Sequence, residues 1–143
     1  MPSSLKDTAL SLWFPGVLPN MELADNRKRT RHWGSNSPAA RDERLAWRLL
    51  ILGHPEWASF ASHGPGFRTP VSVKWVVQYP DRRCRDPGGI LEAMKPALDG
   101  VVDSGLLPGD DCSVIAEYGV RVVLGSKEPG IRLEIRSTEV AND

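Results

Sequence analysis

Alternating apolar and polar residues predict a strand near the middle of the chain. The segment 71-VSVKWVVQY-79 places Val71, Val73, Trp75 and Val77 on one side of an extended backbone. β-Branched and aromatic residues with a period of two are typical of a half-buried strand. Weaker patterns of this kind predict strands at the start of 9–20, within 113–125 and across 130–137, with a turn at 125–130.

Apolar residues at helical spacing predict a first helix over about 38–52. Ser37 is a suitable N-cap, Pro38 a suitable first residue and Gly53 a suitable end. The predicted apolar face of this helix consists of Leu45, Leu49 and Leu52.

A second helix is predicted over about 90–104 and ends at Gly105. Its apolar stripe consists of Ile90, Leu91, Met94, Leu98, Val101 and Val102. The elements therefore follow the order strand, helix, strand, helix, strand, strand. This order predicts an α+β fold in which one small mixed β-sheet packs with two principal helices.

The chain has 143 residues, of which 41% are hydrophobic, and this is the length and composition of one domain. We therefore predict a single domain covering residues 1–143. The segment 54–70 lacks periodicity and is predicted to be a loop or an insertion, and 138–143 a frayed tail. The sequence contains no apolar run of membrane-spanning length and no signal peptide, so we expect no membrane partner. Cys84 and Cys112 have neither metal-ligand nor disulfide-framework spacing, which favours a reducing, cytoplasmic setting.

The net charge of zero conceals an uneven distribution. Residues 1–85 contain 13 Lys and Arg and 7 Asp and Glu, whereas residues 86–143 contain 5 and 11. The basic residues are densest in a predicted loop at 26–41, which suggests an arm that contacts nucleic-acid phosphates, with Trp33 beside it to stack on a base. The residues of this basic arm are Arg27, Lys28, Arg29, Arg31 and His32. A solvated loop is the alternative interpretation.

Carboxylates stand at both ends of the second predicted helix. Asp86 precedes it, Asp110 and Asp111 follow the loop after it, and Lys95 lies between. Adjacent carboxylates repel one another unless a cation joins them, and oxygen ligands favour Mg²⁺ or Mn²⁺. Such a cluster with a lysine suggests metal-assisted phosphodiester hydrolysis. The alternatives are an N-cap role for Asp86 and a solvated helix face formed by Glu92, Lys95, Asp99 and Asp103.

The segment 71–115 resembles RusA-type Holliday junction resolvases, a family with many phage- and prophage-encoded members. The pattern is a strand, then R-D-P-x-x, then a helix with K-x-x-x-D-G, then S-G-L-L-x-x-D-D. The matching residues are Arg85, Asp86, Pro87, Lys95, Asp99, Gly100, Asp103, Ser104, Gly105, Leu106, Leu107, Asp110 and Asp111. The segment 27–33 is similar in kind to the basic segment that such proteins carry after their first strand.

The resemblance implies a homodimeric, Mg²⁺- or Mn²⁺-dependent endonuclease of DNA recombination and repair, in the cytoplasm of a bacterium or of a phage-infected host. Such an enzyme binds four-way DNA junctions and nicks two strands symmetrically. Asp86, Asp110 and Asp111 would bind the metal. The catalytic residues would be Asp86, Lys95 and Asp111. Arg85 would join the basic arm in contacting DNA.

The chain departs from the family pattern at the turn before the second helix. The usual signature there is D-x-D-N, whereas this chain reads 86-DPGG-89, so Gly88 and Gly89 supply no side-chain ligand. Three explanations stay open. The other aspartates and water suffice, Glu92 substitutes, or catalysis is impaired and the protein binds junctions without cutting them. A structural or interaction domain with a merely superficial acidic cluster is a further alternative.

Overall fold

The computed structural model describes residues 9–24, 37–61, 67 and 69–138, and it confirms the α+β class with one mixed sheet. The strands are β1 (Ala9–Pro15), β2 (Val71–Gln78), β3 (Ile115–Val123) and β4 (Gly130–Ser137). The helices are α1 (Pro38–Leu52), α2 (Pro55–Ala61), α3 (Pro87–Ala93) and α4 (Lys95–Asp103), with a 3₁₀ turn at Met21–Leu23. The strands predicted from alternation are therefore confirmed.

The sheet has the strand order β1-β4-β2-β3. Strand β4 is antiparallel to both β1 and β2, whereas β3 is parallel to β2. A parallel pair needs a crossover connection, and α3 and α4 provide it between β2 and β3. One row of facing residues crosses all the strands in the order Leu12, Leu133, Trp75 and Val120. This face of the sheet belongs to the hydrophobic core.

The opposite face of the sheet is polar, because side chains alternate between the two faces of a strand. The charged residues directed onto it are Lys74, Glu117, Arg121, Arg132, Glu134 and Arg136. The guanidinium of Arg132 lies 5.1 Å from the centre of the Trp13 ring on this face. One face of the sheet therefore forms the core and the other carries charge.

Helix α1 begins and ends where the sequence predicts. The Ser37 side chain accepts a hydrogen bond from the backbone N–H of Ala40 at 3.1 Å, and Pro38 follows as the first helical residue. This N-cap satisfies one of the donors that a helix start leaves unpaired, and the proline loses no hydrogen bond there. At the other end, the Gly53 N–H donates to the carbonyl of Leu49 at 3.0 Å.

The prediction that Leu45, Leu49 and Leu52 form the buried face of α1 is wrong. Leu45 is 51% exposed and Leu49 57% exposed, whereas Trp47 and Ile51 are buried. The reason lies in α4, which crosses α1 closely at Gly100. A Cβ at Gly100 would lie 2.9 Å from the Cβ of Trp47, so only a glycine permits this approach. The contact turns the Trp47 side of α1 towards the core.

The single helix predicted over 90–104 is two helices. Helix α3 starts earlier, at Pro87, and α4 starts at Lys95, with Met94 between them at φ −88° and ψ 1°. Pro96 explains the break, because it has no N–H to donate to the preceding turn and its ring crowds the carbonyl there. Gly105 follows the end of α4 with a φ of +90°, the left-handed conformation typical of a helix stop.

The segment 54–70, predicted to be a loop or an insertion, contains a helix, so the prediction of a loop is wrong in part. Helix α2 is seven residues long, too short for a periodic pattern to be recognised. Phe60 of α2 stacks on Phe67, with ring centres 4.6 Å apart. The predicted frayed tail lies outside the described residues except for Thr138, whose N–H donates to the carbonyl of Pro70 at 3.1 Å.

The sequence predicts no membrane-spanning segment and no disulfide framework. Within the described residues, no helix has the length and apolar character needed to cross a membrane. Cys84 and Cys112 are both exposed and free of a disulfide.

Candidate functional site

Asp86 lies in the connection from β2 to α3 and serves as the N-cap of α3. Its Oδ1 accepts a hydrogen bond from the Gly88 N–H at 3.1 Å, and Pro87 is the first residue of the helix. An aspartate at this position stabilises a helix start, both by satisfying a donor and by its charge near the positive end of the helix dipole. The capping role considered from the sequence is therefore present, and it occupies only one of the two carboxylate oxygens.

Lys95, at the start of α4, joins two carboxylates that the chain brings from different places. Its Nζ donates to Asp99 Oδ1 at 2.9 Å, four residues along the same helix. It also donates to Asp110 Oδ2 at 2.8 Å, across fifteen residues of chain. The first pair is the one expected on a helix face, whereas the second requires the loop after α4 to fold back along the helix. The three residues define what we call the Lys95 cluster.

The Lys95 cluster favours a charged ammonium group. Partial burial opposes the charge, but the hydrogen bonds that Lys95 donates to Asp110 and Asp99 outweigh it and raise the pKa of Lys95 above its ordinary value. The Lys95 side chain as a whole is 50% exposed. Lys95 therefore keeps its own positive charge at neutral pH, and two carboxylate acceptors hold it in position.

Asp111 organises the turn that leads into β3. Its Oδ1 accepts hydrogen bonds from the N–H of Ser113 at 2.9 Å and from the Ser113 hydroxyl at 2.5 Å. These bonds, from the hydroxyl and then the backbone, lower the pKa of Asp111. Asp111 is exposed. Asp110 and Asp111 are adjacent in sequence but have different partners.

Arg85 is held against the protein surface. Its Nη1 donates to Asp81 Oδ1 at 2.6 Å, and its guanidinium lies 3.7 Å from the centre of the Tyr79 ring. The hydrogen bond from Arg85 lowers the pKa of Asp81 to about 2. Only 14% of the Arg85 side chain is exposed, so its role in DNA contact stays a prediction. The basic arm, Arg27, Lys28, Arg29, Arg31 and His32, lies outside the described residues.

Two further residues near the site make contacts that the sequence did not predict. Tyr118, on β3, directs its side chain to the core face, and the charges of Lys95 and Asp99 act on its hydroxyl group. Its oxygen accepts a hydrogen bond from Trp75 Nε1 at 2.8 Å. Burial, opposed in part by that bond, raises the pKa of Tyr118 to about 12. The alternation along β3 places Tyr118 on the core face, but only the crossover brings it near Lys95.

The second residue is Arg44 of α1, which pairs with Asp103 at the end of α4. Arg44 Nε donates to Asp103 Oδ2 at 2.5 Å, and Nη2 donates to Oδ1 at 2.8 Å. Asp103 is exposed, as the solvated helix face predicts, and this forked pair also links it to α1. Such planar two-bond geometry is specific to arginine. The pair stabilises the helix crossing beside Gly100 and lies outside the Lys95 cluster.

The predicted metal ligands have suitable chemistry but different surroundings. Asp86, Asp110 and Asp111 each use one carboxylate oxygen in the hydrogen bonds described above and keep the other for a hard cation. Among the residues that the structure describes, however, no three His, Cys, Asp or Glu side chains converge in a group that could hold a metal ion. The donor types fit Mg²⁺, and binding of the ion by these three residues stays a prediction.

Comparison with known proteins assigns no family. No protein-family model matches the chain, and a search of curated proteins finds no match. The functional interpretation therefore depends on the residues of the chain itself.

Proposed function

We propose that the protein is a RusA-type endonuclease that resolves four-way or branched DNA junctions by paired, symmetric nicking. The observation that carries the proposal is the Lys95–Asp110 hydrogen bond of 2.8 Å. This bond joins Lys95 to Asp110, one of the two adjacent aspartates of the resolvase-like pattern. Their separation in the sequence does not by itself bring the two residues together. A functional lysine beside an acidic loop is the arrangement that phosphodiester hydrolysis would use.

Lys95 would act on the phosphate. Its charge is maintained at neutral pH and its side chain is half exposed. Asp99 and Asp110 restrict its position, so it can face a phosphate without first losing conformational freedom. In the transition state, the ammonium would stabilise the negative charge that develops on the phosphate or on the leaving oxygen.

Mg²⁺ or Mn²⁺ is the proposed cofactor, with Asp86, Asp110 and Asp111 as its ligands. When bound, the ion would supply an activated water molecule and neutralise phosphate charge. Glu92 as a substitute for the ligand missing at Gly88 also stays a proposal. Branched DNA is the proposed substrate, contacted by the basic arm and Arg85, in a homodimer whose symmetry matches that of a four-way junction.

A second candidate function is junction binding without cleavage. It is favoured by Gly88 and Gly89, which provide no ligand beside Asp86, and by the lack of a three-residue metal group among the described residues. In that case the basic arm would still contact DNA phosphates, and binding would remain sensitive to salt. The two functions therefore differ in strand cleavage and in affinity for divalent ions.

The decisive experiment is cleavage of an end-labelled synthetic four-way junction with Mg²⁺ or Mn²⁺, by the wild type and by Asp111→Asn. Asparagine can still accept the hydrogen bonds from Ser113, so this variant removes the charge while keeping the turn. The matched control is Glu128→Gln, an exposed carboxylate in the turn before β4. We expect paired nicks from the wild type and the control and none from Asp111→Asn.

Binding of the same junction, measured by gel shift, separates the alternatives. Tight binding without nicks in any variant or metal would establish the binding protein. Binding that is absent at low salt, together with no nicks, would contradict both functions and favour a structural or interaction domain.

A further inference from the structure

Strand β3 forms one edge of the sheet, and its outer backbone groups are unpaired in the part of the chain that the structure describes. The Tyr79 N–H donates to the carbonyl of Val123 at 2.8 Å, which shows that Val123 directs its backbone groups towards β2. Because the direction alternates along a strand, Tyr118, Val120 and Val122 direct their N–H and C=O groups outward. These are free positions for another strand to pair with.

The other edge of the sheet, β1, is obstructed. His54, from the connection between α1 and α2, hydrogen-bonds through Nε2 to the carbonyl of Trp13 at 3.1 Å. That carbonyl lies on the outer side of β1, and Pro15 at the end of the strand has no N–H to donate. Native proteins protect edges in such ways to prevent pairing. Among the described residues, β3 is therefore the edge whose backbone groups are available to a partner strand.

The charges on β3 select one partner and one register. Glu117 and Arg121 project from the open, polar face of the sheet and are both exposed. Suppose that a second copy of β3 pairs antiparallel with the first about a two-fold axis through Gly119. Glu117 of each copy then faces Arg121 of the other copy, which gives two such contacts. A shift of the centre by one residue in either direction places both charges opposite uncharged residues. Opposite charges on facing positions stabilise antiparallel pairs, so the sequence is complementary to itself in this register alone.

The backbone directions agree with the same register. It places Tyr118 opposite Val120 of the other copy, and both direct their N–H and C=O groups outward, so they form the hydrogen-bonded pairs of an antiparallel ladder. Gly119 faces its own copy at a position without hydrogen bonds, where the backbones lie closest. A Cβ at Gly119 meets no atom within 4 Å, so the site is open to a neighbour.

We propose that β3 pairs with β3 of a second copy about a two-fold axis at Gly119, which joins the two sheets into one continuous sheet. The partner is thus another molecule of this chain, held by backbone hydrogen bonds and by reciprocal Glu117–Arg121 pairs. An axis perpendicular to the sheet keeps the helices of both copies on the same face. The two Lys95 clusters then lie on one side of the dimer, related by the axis, as two symmetric nicks require. The proposal gives an interface to the homodimer of the proposed function and rests on it.

Charge exchange tests the interface in solution. Dimer dissociation constants would be measured by sedimentation velocity for the full chain, for Glu117→Arg, for Arg121→Glu and for the double variant. Each single variant places like charges opposite one another at both symmetric contacts, and we expect its dimer to weaken by about tenfold or more. The double variant restores opposite charges and is expected to return to the wild-type constant. Glu134→Arg, on central strand β4 of the same face, is the matched control.

A disulfide across the axis tests the register. In a Cys84→Ser, Cys112→Ser background, Gly119→Cys would place two thiols on facing residues without hydrogen bonds. The Cα separation there, about 4.5 Å, lies within the range that a disulfide spans. Mild oxidation should give a covalent dimer on a non-reducing gel, whereas Ser11→Cys, on the obstructed edge β1, should not.

The outcomes separate this proposal from the proposed function. A monomeric wild type, a dimer indifferent to both single charge changes, or the lack of the Gly119→Cys disulfide would overturn the β3 interface. Junction cleavage by a dimer that fails these tests would leave the nuclease intact and place its interface elsewhere. A charge-dependent, cross-linkable dimer that does not cleave DNA would support the interface and contradict the nuclease.

Discussion

Lys95 and Asp110 are fifteen residues apart in the chain, yet Lys95 Nζ donates a hydrogen bond to Asp110 Oδ2 at 2.8 Å. Asp99 accepts a second bond from the same ammonium group, so the lysine stands between an acceptor on its own helix and an acceptor on the following loop. The loop therefore has a fixed position relative to α4. The Lys95 cluster is the best-defined combination of charges in the region of the resolvase-like pattern.

Lys95→Met should reduce junction nicking by about 100-fold or more, because it removes a charge placed to stabilise the transition state. Junction affinity should change little, since it sums over many phosphate contacts. The free energy of unfolding should fall by only about 0–1 kcal/mol, because the ion pairs are half exposed. Single-turnover nicking, gel shift and urea denaturation measure the three effects. Lys127→Met, at an exposed lysine in the turn before β4, is the control; equal nicking by both variants would contradict the role of Lys95.

Gly88→Asp should increase the affinity for Mn²⁺ by at least about tenfold, because added carboxylates strengthen sites for hard cations. A Cβ at Gly88 would lie 3.5 Å from Asp86 Oδ1, an ordinary contact, so the new carboxylate fits beside the existing one. Its position in the first turn of α3 also suits a negative charge. Isothermal titration with Mn²⁺ measures the affinity. Gly88→Ala makes the same backbone change without a ligand and should bind as the wild type does. Identical titrations for the two variants would show that this turn is not part of a metal site.

Local patterns were sufficient to predict the strands and the ends of α1. Alternation located β2 because one side of that strand is buried and the other meets solvent. Ser37 and Pro38 marked the start of α1 because N-caps and first-turn prolines act within a few residues. These features are determined by neighbouring residues, so no knowledge of the tertiary structure was needed.

Features that depend on packing between elements were not predictable in this way. The leucine stripe of α1 has good helical spacing, yet the helix buries Trp47 and Ile51 because Gly100 admits that side of it. The Lys95–Asp110 contact depends on the path of the loop after α4. The sequence identified both residues as candidates for the site, but it did not predict that they pair with each other. The partner of Asp103 on α1 likewise follows from the helix crossing.

Gly100→Ala should lower the free energy of unfolding by about 1–3 kcal/mol, the usual cost of overpacking a close contact. The added methyl group would lie 2.9 Å from the Cβ of Trp47 and 3.0 Å from the backbone nitrogen of Arg48, so the helices must separate. Their separation would also disturb the Arg44–Asp103 pair. Urea denaturation measures the change. Gly109→Ala is the control, because its Cβ would meet only Val114, at 3.8 Å. Equal stability of the two variants would contradict the close crossing.

Tyr118→Phe should destabilise the protein more at neutral pH than at alkaline pH. At neutral pH it should lower the free energy of unfolding by about 1–3 kcal/mol, because Trp75 Nε1 loses the acceptor it now has at 2.8 Å. In the wild type, burial raises the pKa of Tyr118 from 10.0 to about 12, so between these values the unfolded chain has lost the proton while the folded chain retains it. Wild-type stability should therefore fall as pH rises from about 10 to 12, by an amount on the order of 2 kcal/mol.

Phenylalanine does not ionise, so the stability of the variant should decline less over the same range, and the difference between the two proteins should shrink. Urea denaturation at pH 8, 10 and 11 measures that difference. The absorbance at 295 nm during alkaline titration supplies a separate signal, because the chain has two tyrosines and the variant retains only Tyr79. The wild type should show a late ionisation step that the variant lacks. The titration curves of the two proteins can be divided by their number of tyrosines. If the wild type and the variant then gave the same curve, the Tyr118 hydroxyl would not be held by Trp75 in a buried site.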